Sequence, residues 1–458
     1  MRADLLPGPV DGLDEALAAV DAFDQVLTTG LLRPHGDGLT LLAAAVAGTP
    51  LAATVAEAAR QAAAGAAGED HFTALAGART ALLGAAHDAL LARATEATGR
   101  TREDHGTPVA GGEPVNLLAA ARSWLADLAR AGWRGIDHDL IGGAAQVTTA
   151  LLAEPELRRP AALLDGFAAE LAASCPGAAL EHVPARRWAD LWSRAVLLTL
   201  PGAATAPGTT PISGRLLPLG VDLHEHPTAA QAQVHAVLEP ADGGAPLLVR
   251  ATASAPKPDT VVGAGTWQLL RPHLSALAAL GDGRSLELTD MPITAAGDLI
   301  WDDARARTGE PADPFATARA VLPAATERTA APLDRHPASI AVPVFLDGYT
   351  ATTRDDRPVF ALAGHALPVD ADRAPAAGPL TAETVAASHA CIGLLRWDAG
   401  EFRVQPLAVE TTKRKKTTAV HAGAWAGGTT DKAGAKAEKA ATDAAAALRE
   451  RAGRLLRT

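Results

Sequence analysis

Residues 1–200 repeat apolar positions at helical spacing. Leu117, Leu118, Ala121, Trp124, Leu125 and Leu128 fall on one helix face, and Leu83, Leu90 and Leu91 on another. Trp188, Leu191, Trp192, Ala195 and Leu198 form a third stripe, flanked by Arg186, Arg187 and Arg194. Gly99-Arg100, Gly111-Gly112 and Gly142-Gly143 break the runs. The pattern predicts about eight helices in a bundle or irregular array. No repeat of about 34 or 40 residues organises them.

Residues 201–214 interleave Pro201, Pro207 and Pro211 with Gly202, Gly208 and Gly214 and show no apolar period. They read as a linker. After it the period becomes two. Leu219, Val221 and Leu223 alternate, as do Val234, Ala236 and Leu238. A turn over 227–230 sets Leu223 opposite Val234 and Leu219 opposite Leu238. The opposite, solvent-side face then carries Asp222, His224, His226, Gln231, Gln233 and His235. Pro227 starting a helix is the competing reading. A third strand over 247–253, helices over 267–280, 314–322 and 381–389, and short strands near 286–288, 299–301, 340–349 and 359–367 follow. These elements mix without regular alternation, so the predicted class is α+β. It comprises a helical half (1–200), the Pro/Gly/Thr linker (201–214), an α+β half (215–410) and a partly helical basic tail (411–458).

The sharpest local prediction is a hairpin in CIGLLRWDAGEFRVQPLAVETTKRKK, residues 391–416. Asp398-Ala399-Gly400-Glu401 carries type I turn chemistry, with a positive φ at Gly400. Trp397 then faces Phe402, and Leu395 faces Val404. Arg396 faces Arg403, a repulsive pair that implies an acidic group nearby, or two side chains splayed into water.

Charge adds an asymmetry. The 458-residue chain carries −11, yet residues 411–458 hold eleven basic and four acidic side chains, net +7, leaving −18 for the rest. This excludes a chain that coats nucleic acid over its whole surface. It marks Arg396, Arg403, Lys413, Arg414, Lys415, Lys416, Arg451, Arg454 and Arg457 as candidate partner-binding residues, with the tail a candidate contact for nucleic acid. The N-terminus lacks a signal-peptide pattern, and no apolar run approaches about 18–20 residues. A cytoplasmic protein without a membrane partner is expected, with Cys175 and Cys391 as reduced thiols.

Chemistry is sparse. His224, His226 and His235 are the metal candidates, because i and i+2 on a strand share a face; a metal-dependent hydrolase is the function they offer. A solvated polar face is the competing account. Asp290, Asp298, Asp302 and Asp303 cluster about a predicted turn, where acids are common. Asp137-His138-Asp139 is a weaker cluster. Gly263-Ala264-Gly265 lacks the third glycine of a dinucleotide loop, since Gln268 stands there. No phosphate loop, nucleophile elbow or HExxH helix is present, and no cofactor is called for.

In GLLRWDAGEFRVQPLAVETTKRKK and the ending LRERAGRLLRT the chain resembles an uncharacterised family of GC-rich bacteria, over most of its length and most clearly from Leu216 to the end. Its members are encoded beside SWIM zinc-finger proteins, MoxR-type AAA ATPases and von Willebrand A-domain proteins. The resemblance implies a non-enzymatic accessory or adaptor protein, with an AAA ATPase or von Willebrand A-domain protein as partner. It carries over no site residue, and this chain lacks the phosphate loop, the DxSxS metal site and the zinc ligands of those neighbours.

Overall fold

The computed structural model describes residues 1–34, 36–103, 116–204, 207–226, 228–258, 260–354 and 357–455. The N-terminal half is helical: α1 (Leu13–Thr29), α2 (Gly38–Ala45), α3 (Ala52–Ala63), α4 (Glu69–Thr98), α5 (Asn116–Ala131), α6 (His138–Gly142), α7 (Ala144–Leu152), α8 (Arg158–Ala173) and α9 (Ala185–Leu198). A two-residue strand, β1 (Arg102–Glu103), follows α4. The predicted stripes are core. Leu118, Ala121, Trp124, Leu125 and Leu128 on α5 and Trp188, Trp192 and Ala195 on α9 are buried in one cluster. The Trp192 indole donates to the Leu125 carbonyl at 2.9 Å, and that of Trp188 to Glu170 at 3.1 Å. The α9 tryptophans are thus packing residues whose polar ends are satisfied.

The second half contains β2 (Thr209–Glu225), β3 (Ala229–Pro240), β4 (Leu247–Pro256), α10 (Gly265–Leu270), α11 (Ala276–Gly281), β5 (Arg284–Thr294), β6 (Asp298–Leu299), β7 (Ala306–Pro311), α12 (Pro314–Ala320) and β8 (Glu327–Arg328). It continues with β9 (Val342–Asp347), β10 (Thr350–Arg354), β11 (Arg357–Leu362), β12 (His365–Pro368), α13 (Ala382–Ala386), β13 (Ser388–Asp398), β14 (Glu401–Lys413), β15 (Lys416–His421) and α14 (Lys432–Leu455). The protein is α+β. No helix among the described residues is long and apolar enough to cross a membrane.

β2, β3, β4, β6 and β5 pair in a circuit that closes on itself, because β2 also pairs with β5; β7 adds to β5. Closure removes sheet edges that would otherwise stand open. It also corrects the linker reading from Thr209 onward. Thr210 pairs with Ile293 and Pro211 with Pro292, so a segment with turn-like composition forms the start of β2.

β3 is strand, not helix, but its register differs from the expected one, by two residues on the turn side of a bulge and by three beyond it. Leu223 faces Ala232, Val221 faces Val234 and Leu216 faces Leu238. The turn is tighter than expected, with reciprocal backbone hydrogen bonds between His226 and Ala229, and a bulge lies between Pro218 and Gly220. The shift of two preserves which side chains share a face on the turn side, whereas beyond the bulge the odd shift puts Leu219 on the other face, with Val237. The hairpin of β13 and β14 has the expected register: Trp397 against Phe402, Arg396 against Arg403, Leu395 against Val404. Its turn differs, since Ala399 (φ 51°) and Gly400 (φ 84°) both adopt positive φ, as a two-residue I′ turn requires.

β13 and β14 are the centre of the molecule. In the sheet β15-β14-β13-β9, Cys391, Leu395, Val404 and Val409 pack with Leu90, Leu91 and Ala94 of α4. Ala390, Ile392 and Ala408 join a separate cluster with Leu219 of β2 and Val237 of β3. Burial on both faces explains the near-continuous apolar run of CIGLL. It also desolvates the Cys391 thiol, which is pushed well above its usual range.

The basic segment is built into the fold at both ends. Arg414 and Lys415, at positive φ, turn β14 into β15, with Lys413 opposite Lys416. α14 lies on α10: a side chain at Gly265 would meet the Ala441 Cβ at 2.2 Å, and Arg271 pairs with Glu438 at 3.1 Å.

Candidate functional site

Two polar residues stand on apolar helix faces. Asp24 follows Val20 and Phe23 and precedes Leu27 on α1, and Arg79 lies among Leu75, Ala76, Leu82 and Leu83 on α4. Each is 1% exposed. Arg79 donates to both Asp24 oxygens, at 2.6 and 2.9 Å, and also pairs with Asp190 of α9 at 2.7 Å. Arg186 approaches Asp24 at 3.2 Å and reaches Asp21 as well. His336, between β8 and β9, lies 3.4 Å from Asp190, and Arg194 pairs with Asp334. These charges tie α1, α4 and α9 to the loop of the second half.

The two carboxyls respond in opposite directions. Burial pushes Asp24 up to about 6 against the pull of Arg79 and Arg186. Burial also acts on Asp190, but His336 and Arg79 outweigh it and hold the carboxyl below its usual range. Divergent carboxyls mark functional sites. Here Asp24 is sealed from solvent, so the cluster braces the floor of a cleft; no reactant reaches it.

The cleft is a groove of about 710 Å³. α1 contributes Leu17, α9 and the residue before it contribute Leu191 and Pro184, and the segment between β8 and β9 contributes Pro337 and Ala338. The far lip is the β13–β14 turn, with half-buried Trp397 and exposed Asp398. The floor is Asp190 and His336. An adjoining recess of about 320 Å³ shares Asp190, His336 and Ala338 and reaches Arg79 and Arg194. Arg187, on the near lip, is held by Glu170 through two bonds of 2.6 and 2.7 Å. The two stretches singled out in the sequence, the arginine-flanked α9 and the hairpin, therefore meet across one groove.

Other predicted sites are not assembled. His224 is half-exposed and sits on Asp222 at 2.8 Å, and exposed His226 contacts Thr228 at 3.0 Å. His235 is 1% exposed and lies opposite Gly220, four positions along β2 from His224. At roughly 3.3 Å per residue, that separation puts His235 beyond a shared ion. The metal set His224, His226, His235 is corrected on this ground, and no group of three ligand-type side chains converges among the described residues. The expected solvent-side face is also covered at its middle. Leu407 packs where Gly220 lacks a side chain, 2.7 Å from an added Cβ.

Arg396 and Arg403 are corrected as partner-binding residues, because both are buried in ion pairs within the chain. Arg396 binds Asp222 and Gln405, while Arg403 binds Asp370 at 2.7 Å and Glu401 at 2.8 Å. The acidic group implied by their juxtaposition is thus internal. The acid cluster disperses into local roles: Asp298 pairs with Arg250, Asp302 caps Ala304, Asp303 accepts from Ser275 and Trp301, and Asp290 sits at a bulge within β5 at φ 51°. Arg414, Lys415, Lys416 and Arg451 are exposed, and exposed Arg454 pairs with Glu450. The Lys413 side chain and Arg457 lie outside the described residues.

Against family models, curated proteins and solved structures, the chain has no significant match.

Proposed function

We propose that the protein is a non-enzymatic adaptor that holds an apolar segment of a protein partner in the groove between α1, α9 and the β13–β14 turn. The supporting observation is Trp397, a half-buried aromatic beside a tight turn, at the lip of a cleft whose apolar lining is Leu17, Pro184, Leu191, Pro337 and Ala338. Half-exposed aromatics facing a pocket are the commonest energetic anchors of protein interfaces. The floor is braced by buried ion pairs, so the cleft is largely formed before binding, which lowers the ordering cost. Exposed Asp398 at its edge, on a body of −18 outside residues 411–458, favours a segment whose apolar core is flanked by lysine or arginine. An accessory role beside a MoxR-type ATPase or a von Willebrand A-domain protein, which the family resemblance implies, would supply such a partner in the cytoplasm.

The test is an array of peptides with apolar cores, flanked either by basic or by acidic residues, titrated with the full chain. Basic-flanked peptides are expected to bind. Trp397→Ala should weaken them about 30-fold, as loss of about 2 kcal/mol at an anchor does. If no peptide binds, or if Trp397→Ala leaves binding unchanged, the reading fails.

A further inference from the structure

A second cavity, of about 260 Å³, lies between α4 and the floor formed by β3 and β4. It is separate from the groove and has a different character. Its deep end presents two buried histidines, His87 from α4 and His235 from β3, beside Leu91 and Ile340. The His87 Nδ1 is engaged with Asp88 at 2.9 Å. Among the described residues, the buried His235 Nε2 has no hydrogen-bond partner. An unpaired buried nitrogen is costly, and native proteins keep few of them. Burial lowers both imidazoles, His235 to about 3, so both are neutral at physiological pH.

The mouth is different again. Arg250, directly opposite His235 across β3 and β4, pairs with Asp298 at 2.8 Å, and both side chains are about one third exposed. A cation and an anion thus stand side by side at the entrance. The acids of the wall are already paired. Glu327 is bound by Arg100 at 2.6 Å and Asp334 by Arg194, while Arg328 donates to the Thr294 carbonyl at 3.3 Å and stands opposite Glu103 in the β1–β8 register. An occupant with net charge would upset this balance; a zwitterion would not. At about 260 Å³ the cavity lies below the usual size of small-molecule pockets, which favours a small occupant.

We propose that this cavity binds a free α-amino acid with a neutral polar side chain. The α-carboxylate meets the Arg250 guanidinium and the α-ammonium meets Asp298. The side chain, an amide or hydroxyl, reaches inward and supplies the hydrogen-bond partner that His235 lacks. A charged side chain is rejected because the neutral histidines and aliphatic walls do not compensate it. An aliphatic one is disfavoured because it leaves His235 unpaired.

The experiment is calorimetric titration of the full chain with L-asparagine, L-glutamine, L-threonine and L-serine. At least one should bind saturably with a Kd below about 1 mM. For asparagine, succinamic acid lacks the ammonium and β-alaninamide lacks the carboxylate. Each truncated analogue of the best ligand should bind at least about tenfold more weakly, and so should L-aspartate and L-leucine. Asp298→Asn and Arg250→Gln alter partly exposed side chains and should each lose at least about tenfold in affinity. If one variant does not fold, the other gives the answer. Trp397→Ala should leave amino-acid binding unchanged, which separates this site from the groove. Absence of saturable heat for all four amino acids up to about 10 mM, or binding indifferent to both variants, overturns the proposal.

Discussion

Two buried arginine–aspartate pairs hold the two halves of this molecule in shape, and they behave differently. In the helical half, Arg79 alone supplies both hydrogen bonds that Asp24 receives from it, while also serving Asp190. In the second half, Asp222 accepts from Arg396, from the Gln405 amide at 2.7 Å and from His224 at 2.8 Å. Burial alone would raise both carboxyls. For Asp24 burial prevails and the carboxyl rises to about 6. For Asp222 the hydrogen bond with His224 and the charge of Arg396 prevail, and it is held well below its usual range. The difference teaches that the number and variety of donors, more than the presence of an arginine, decides what a buried carboxylate costs.

The largest expected effect comes from removing the arginines. Arg79→Met removes both side-chain hydrogen bonds to buried Asp24 and leaves it only Arg186 at 3.2 Å, and Asp190 only His336 at 3.4 Å, and a loss of about 3–5 kcal/mol is expected in urea unfolding. Arg396→Met leaves Asp222 with Gln405 and His224, and the expected loss is smaller, about 2–3 kcal/mol. The reverse order would break the comparison.

Stability against pH sharpens it. The raised Asp24 carboxyl favours the folded state below its unfolded value near 4, and that contribution is lost as pH rises through about 6. Asp24→Asn should therefore remove a downward slope in unfolding free energy of order 2–3 kcal/mol between about pH 4 and 6.5. The depressed Asp222 carboxyl contributes fully at neutral pH, and its contribution is lost on acidification below the ordinary carboxyl value. Asp222→Asn should remove a slope of opposite sign, confined to the acid side. Matching slopes in the two variants would contradict the contrast. The smallest effect belongs to the exposed Arg454–Glu450 pair: Arg454→Gln should change stability by less than about 0.5 kcal/mol.

Much of this architecture is legible in the chain. The helical stripes and the β13–β14 register follow from periodicity and turn residues, which act locally. The role of 209–214 is not legible, because pairing with β5 depends on residues about 80 positions away and overrides proline-rich composition. The β2–β3 register differs by two because the turn closes tightly between His226 and Ala229, and by a third residue beyond the bulge at Pro218/Gly220, which lies against Leu407 of another sheet. The groove itself was half legible. Arg186, Arg187 and the hairpin stand out in the sequence, but nothing in it brings them together. Asp24 and Arg79 carried a usable signal, a charge within an apolar stripe at i, i+3, i+4 spacing. His235 carried a misleading one, because alternation with His224 shows a shared face but not the distance along it.

The central claim is that Trp397 anchors a partner segment at the groove. The most direct measurement is fluorine NMR of the full chain labelled with 5-fluorotryptophan, which gives one resonance for each of its eight tryptophans. Trp397→Phe assigns the groove resonance. Titration with the best basic-flanked apolar peptide should shift that resonance and leave those of buried Trp133, Trp188, Trp192 and Trp267 in place. A peptide that binds while the Trp397 resonance stays still would contradict the account.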